Sequence, residues 1–352
     1  MPDVLIYGDT LRSPELRHEV PLGIGDPFLY VEKDGVSHIQ IGSMEIPRLA
    51  ELGRFELHPS EEFGVARAVV PQTFPLWLGD HLRANGIELT VDRDFFDDRR
   101  RVKTADEIEG IRRAQAAAEA GMTAARELLR RASTNGGRTL EVDGRPLTVE
   151  RVKSAVAQAF IEHGCSSSEM IVSHGAQAAV GHDSGSGEIR QGEPIVIDIW
   201  PRDDESGCYA DMTRTFVLGE PPDELVEWHR LVLEALELGV AASRPGARGR
   251  EVYDATCDVF ERAGHPTQRT KEPGTVLEEG FFHGLGHGVG LEVHEAPAMG
   301  LISNDALVAG DVVTVEPGLY RPGFGGVRLE DLVLVTESGP ENLTDFPYDL
   351  AP

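Results

Sequence analysis

Four carboxylates carry the first chemical signal in this chain. Asp198 follows the apolar run IVI in GEPIVIDIWPRDDESGCYAD, and Asp211 closes that stretch. Glu316 follows VVTV in GDVVTVEPGLYRPGFGGVRLE, and Glu330 closes that one. Gly192 precedes Asp198 by six residues, as Gly310 precedes Glu316, and the acids within a stretch are 13 and 14 residues apart. Each stretch reads as strand, turn-rich connection and strand, so the chain contains one device twice. Four acids converging in an apolar setting repel one another unless something positive joins them. A metal pair is the simplest such thing. Two Asp and two Glu are hard oxygen donors. With one histidine nitrogen added, the set suits manganese, cobalt or zinc better than a thiolate site would. Two ions sharing a water lower its pKa and polarise a carbonyl, which makes amide hydrolysis the natural reaction class.

Histidines of the right kind are present. His283, His287 and His294 sit in HGLGHGVGLEVH, spaced four and then seven apart. The glycine content argues against a helix and for strand and turn, with backbone able to approach another group closely. His182 stands at a strand or loop end. His174 reads as a loop residue. His38, His58 and His81 are isolated, and read as surface or satisfied histidines.

The elements that must position these groups follow from pattern. VLIYGD, PFLYVEKDGVSHIQIG and FGVARAVVP read as strands, the middle pair joined by a Lys-Asp-Gly turn. LWLGDHLRANGIELTVD reads as a helix stopped at Gly86, then a strand. The basic run Arg99–Lys103 reads as a solvated linker. Thr104 and Glu107 form a capping box ahead of a long helix. GGRTLEVDGRPLT reads as a connection or hairpin, and Thr148 caps a further helix stopped at Gly164. Two helices follow Thr213–Arg214–Thr215, which reads as a strand with Arg214 available to pair with an acid. Strand–hairpin–strand units alternating with helices predict a mixed sheet covered by helices, in two pseudo-equivalent halves. The expected boundary divides 1–103 from 104–352.

Composition narrows the partners. There are 33 Lys plus Arg against 60 Asp plus Glu, which argues against nucleic acid or an anionic membrane. Cys165, Cys208 and Cys257 show no zinc or redox spacing and read as reduced cytoplasmic thiols. The N-terminal stretch does not read as a signal peptide, and no run approaches a membrane span.

VIDIW, YADMTRTF, GLGHGVGLEVHE, TVEPGLY and GVRLED together resemble the pita-bread metallopeptidases, and within them the Xaa-Pro peptidases, prolidase and aminopeptidase P. The resemblance covers about 104–340 well and the N-terminal part more loosely, as a creatinase-like domain. It implies an α+β fold: a pita-bread catalytic domain, with a pseudo-twofold mixed sheet covered by helices, after a small α/β N-domain. By the resemblance, Asp198 chelates one of two divalent ions, His287 and Glu316 bind the other, and Asp211 and Glu330 bridge both. Manganese is the first choice, with zinc or cobalt as alternatives. Glu316 matches the general base, His182, His283 and His294 match histidines that contact substrate, and Arg328 matches an arginine paired with the acids. The implied reaction cleaves the bond before proline in a dipeptide, or in longer peptides if the chain is an aminopeptidase P. A catalytically silent binding module is the reading from another class. A homodimer is implied.

Two departures stand out. The interval from Asp198 to Asp211 is longer than usual in the family, with Asp203, Asp204 and Glu205 expected to face solvent. HEAPAMGLI lacks the arginine that prolidases often carry after the HE pair. Arg48 and Arg54, in the loop-like IPRLAELGRF, are the candidates to hold a substrate carboxylate instead.

Overall fold

The computed structural model describes residues 2–58, 63–134 and 137–352. These form two compact units, Met1–Arg100 with Glu205–Gly207, and Arg101–Asp204 with Cys208–Pro352.

The first unit runs β1 (Val4–Gly8), α1 (Pro14–Glu19), β2 (Phe28–Lys33), β3 (Val36–Gln40), α2 (Ile46–Glu51), β4 (Glu56–His58), β5 (Arg67–Val70), α3 (Leu76–Ala84), β6 (Glu88–Val91) and α4 (Arg93–Arg101), whose last residue, Arg101, already belongs to the second unit. Its six strands form one mixed sheet in the order β4-β3-β2-β1-β5-β6. The turn between β2 and β3 holds Asp34 and Gly35 at φ 52° and 78°, the left-handed pair that a tight hairpin needs. Val4, Ile6, Phe28, Tyr30 and Ile39 alternate inward from the strands and meet Leu16 of α1 to make the core.

Three expectations need correction in this part of the chain. The stretch holding Arg48 is not a loop: Ile46–Glu51 is helical, with Pro47 tolerated in the first turn. His38 and His58 are not isolated, because β3 and β4 pair in parallel and bring their rings together. The basic run is no solvated linker. Arg99, Arg100 and Arg101 complete α4, and Arg99 is paired with Glu19 and Glu32. Downstream, Arg101 forms a bidentate pair with the fully buried Asp311, and Lys103 is buried against Glu295. A run of like charges looks solvated in sequence because its partners lie far along the chain, 67 and 80 residues from Arg99, 210 from Arg101 and 192 from Lys103.

The second unit opens with α5 (Ala105–Arg130), whose capping box from Thr104 and Glu107 is present as expected. A small sheet follows: β7 (Ser133–Thr134), β8 (Leu140–Val142) and β9 (Arg145–Pro146). Then come α6 (Val149–Glu162), capped by Thr148, β10 (Cys165–Ser166) and β11 (Met170–His174). Next are β12 (Pro194–Ile199), β13 (Arg202–Asp203), which pairs with β10, and β14 (Met212–Val217). Helices α7 (Asp223–Ala242) and α8 (Gly249–Arg262) lead to β15 (Gly286–Gly288), β16 (Glu295–Met299), β17 (Val312–Val315), β18 (Gly318–Arg321), β19 (Gly325–Arg328), β20 (Asp331–Thr336) and β21 (Gly339–Asn342).

Two sheets dominate this unit, β11-β12-β14 and β16-β15-β17-β20-β21. Each packs against its own helix pair. Ala118, Met122, Val152 and Phe160 of α5 and α6 meet Val172, Ile197 and Phe216. Trp228, Leu236, Val252 and Phe260 of α7 and α8 meet Val313, Val315 and Val333. The device seen twice in the sequence is therefore two antiparallel strand pairs, each roofed by two helices. One loop expectation fails. Asp203 is 3% exposed and takes a bidentate pair from Arg113, while Asp204 is exposed.

Candidate metal centre

Strand register brings the four acids together. In the β12–β14 pair Asp198 lies opposite Thr213, and Asp211 stands one residue before β14. In the β17–β20 pair Val315 lies opposite Asp331, so Glu316 and Glu330 flank the last matched position. The two hairpins are stitched at that point. The Glu330 N–H donates to the Thr213 carbonyl at 3.1 Å, and the Thr213 hydroxyl donates to Glu330 Oε2 at 2.6 Å. Arg214, fully buried, donates to the Thr213 and Glu330 carbonyls and pairs with Asp331 at 2.9 Å. The acid partner expected for Arg214 is thus Asp331, the neighbour of Glu330.

His287 lies on β15 beside β17. Its N–H donates to Thr314 Oγ1 at 3.1 Å. The flanking glycines are required by close approach: a Cβ at Gly286 would stand 2.0 Å from the Thr314 carbonyl oxygen, and one at Gly288 2.3 Å from that of Ala296. The ring Nδ1–H donates to the Gly288 carbonyl at 3.1 Å, which selects the tautomer. Nε2 then presents a lone pair to Glu316 Oε1 at 3.5 Å and Asp211 Oδ2 at 3.8 Å. Burial, with His294 alongside, holds the ring neutral by lowering its pKa to about 4.

A lone pair facing carboxylates is repulsive unless a cation or a proton lies between them. The acids are similarly unsatisfied. Asp211 is 4% exposed, and its Oδ1 has no hydrogen-bond partner among the described residues. Burial first, then Glu330, Asp198 and Glu316, pushes its pKa well above the carboxylate range. Glu330 is raised by burial and by Glu316 and Asp198, and Glu316 is raised to about 8, chiefly by burial. Ligand atoms of Asp211, His287 and Glu330 lie within 4.8 Å of one another. Anionic oxygens, a fixed imidazole lone pair and an orphaned carboxylate oxygen fit a divalent cation.

Arg328 is the local counter-charge. Its Nη2 donates to Asp198 Oδ2 at 2.5 Å and its Nη1 to the Tyr320 hydroxyl at 3.1 Å. The His283 Nδ1–H donates to the Gly284 carbonyl at 2.7 Å, so its Nε2 accepts from Tyr320 at 2.9 Å. Burial and the nearby Arg328 lower the His283 pKa to about 3. Arg328, Tyr320 and His283 therefore form a directed chain. Tyr320 is the member that reading the sequence missed. Its only signal was its place four residues after Glu316, and its partners emerge only when β18 folds back on β19.

His182, His283 and His294 line one cavity of about 820 Å³ with Asp198, Asp211, His287, Glu316, Arg328 and Glu330. Ile171, Val180, Trp200, Phe282 and Val293 supply its apolar wall. His294 packs edge-on against His287, with ring centroids 4.3 Å apart. Its neighbour Glu295 is anchored by the buried Lys103, a second contact the sequence could not show. Arg48 belongs to the N-terminal unit. There its guanidinium pairs with Glu45 at 2.7 Å and donates to the Gly23 carbonyl at 3.2 Å.

Metallopeptidase family M24 matches residues 109–337. A protein of Pyrococcus furiosus named Xaa-Pro dipeptidase is 34% identical over 269 residues, 76% of this chain and 70% of that one. Among solved structures, an Xaa-Pro dipeptidase from Bacillus anthracis superposes with a TM-score of 0.80 at 25% identity, over 99% of this chain and 94% of that one. An X-Pro aminopeptidase from Thermotoga maritima has the same fold, with a TM-score of 0.79 at 23% identity, over 98% and 96%.

Proposed function

The chain belongs to metallopeptidase family M24, and on that premise we propose that it hydrolyses the peptide bond before proline in Xaa-Pro dipeptides. The observation that carries this is the floor of the cavity, where the His287 lone pair faces buried acids beneath an apolar wall. The relative from Pyrococcus furiosus bears the name Xaa-Pro dipeptidase, which supports the substrate class.

In this reading Asp198, Asp211, His287, Glu316 and Glu330 would hold two divalent ions. Hard carboxylates with one imidazole favour manganese, with zinc or cobalt as alternatives. When bound, such a pair polarises the scissile carbonyl and makes water a nucleophile near neutral pH. Glu316 would take the proton that the attacking water loses and deliver it to the proline nitrogen as the C–N bond breaks. His182 and His294 donate to oxygen atoms of the substrate as charge develops. His283 positions Tyr320 and, through it, Arg328, which holds Asp198. Ile171, Val180, Trp200, Phe282 and Val293 give the proline ring an apolar seat. Arg48 is the proposed carboxylate holder. A second copy of the chain and a cytoplasmic setting complete the proposal. The three buried free cysteines support that setting, and no helix among the described residues is long and apolar enough to cross a membrane.

The test compares Xaa-Pro dipeptides with Xaa-Pro-Yaa tripeptides on the manganese-loaded protein. A dipeptidase cleaves the first with higher kcat/KM, and Arg48→Ala raises its KM. Preference for tripeptides would make the chain an aminopeptidase of the P type instead. Protein that takes up no manganese, cobalt or zinc would be a binding module.

A further inference from the structure

The pairing of β3 with β4 gathers a second donor cluster, wholly within the N-terminal unit. In the parallel register His38 lies beside Glu56, and Gln40 beside His58. Side chains of a strand alternate between faces, so Glu56 and His58, two apart on β4, share one face, and His38 joins them. His38 Nδ1 lies 3.3 Å from Glu56 Oε2 and 3.3 Å from His58 Nε2. The three ligand atoms are all within 4.8 Å of one another. Phe63 packs against both rings, tilted to His38 and edge-on to His58, at 5.4 and 5.3 Å between centroids.

Hydrogen bonding accounts poorly for this geometry. An Nδ1–H on His38 cannot point well at both His58 and Glu56, an Nδ1 that accepts from His58 turns its lone pair on the Glu56 carboxylate, and 3.3 Å is long for either contact. A metal accounts for it better. Donors about 2.0–2.1 Å from a tetrahedral Zn²⁺ stand about 3.3–3.4 Å from one another. Two imidazoles and a carboxylate are a frequent zinc set, with water as the simplest fourth ligand. We propose that His38, Glu56 and His58 bind a divalent transition metal, zinc in the first instance, separate from the acid-lined centre. The ion ties the three-residue edge strand β4 to β3 and stiffens a sheet edge that pairs over three positions.

Zinc is titrated into the full-length protein and counted per chain by native mass spectrometry, with affinities from competition against a chromogenic chelator. The wild type is expected to hold one ion more than His38→Ala/His58→Ala. Glu56→Gln alters a side chain that is 62% exposed and keeps the fold; it is expected to weaken that ion about tenfold or more. Asp211→Ala separates this site from the proposed catalytic one, because the extra ion survives there and remains sensitive to Glu56→Gln. Equal zinc counts in the wild type and the double histidine variant, or affinity unchanged in Glu56→Gln, would overturn the proposal.

Discussion

At the scale of single residues, the centre is a problem of charge, with one arginine, Arg328, and four acids among the described residues that line the cavity. Arg328 reaches Asp198 at 2.5 Å, while Asp211 Oδ1 goes without a partner. Asp211→Ala is expected to lower bound manganese by at least one ion per chain and abolish peptidase activity. Elemental analysis beside a turnover assay checks both, and full activity would remove Asp211 from the centre. Tyr320 plays a different part. It stands between the Arg328 guanidinium and the His283 lone pair without joining the acids. Tyr320→Phe deletes a hydrogen bond to a charged group, worth about 1.5–3 kcal/mol. The expected result is unchanged metal content with kcat down about 10- to 100-fold. Metal lost in parallel with kcat would make Tyr320 a structural support.

At the scale of elements, the site is built where strands come too close for side chains. β15 runs so near β17 that a methyl at Gly286 would meet a carbonyl oxygen at 2.0 Å. Backbone cannot give way as the end of a side chain can, so Gly286→Ala must push β15 outward and carry His287 with it. We expect a loss of about 1–3 kcal/mol in denaturant unfolding, with weaker manganese binding by calorimetry. Wild-type stability and affinity together would mean that the strand pair tolerates the shift. Arg214 does the matching work on the other hairpin. One buried guanidinium holds the carbonyls on either side of the seam and pins Asp331 beside Glu330.

At the scale of the molecule, the ion-free protein must contend with acids that folding has made weak. Glu316 is raised from 4.5 to about 8. A carboxyl raised on folding binds its proton more tightly folded than unfolded. Its contribution to stability is full below about pH 4.5 and is lost as pH rises through about 8. Glu330 and Asp211, raised in the same direction, add to the trend. The expected Tm of chelator-treated protein therefore falls from about pH 5 to about pH 8, and manganese removes most of that fall by displacing the protons. Scanning calorimetry across that range decides, and a flat profile without metal would show that the acids are compensated by protein groups.

The sequence by itself determined the doubled strand–turn–strand device, the capping box at Thr104 and the hairpin at Asp34–Gly35. All of these are carried by local spacing, which any chain of this order must express as alternation, caps and turns. It did not determine Tyr320, Asp331, Lys103 or the His38–His58 meeting. Each depends on a partner brought in by strand register or by a helix end far along the chain. The same limit explains the misread charges at Arg99–Lys103 and Asp203. A charged residue looks solvated until the fold supplies an opposite charge, and only tertiary packing decides whether that partner arrives.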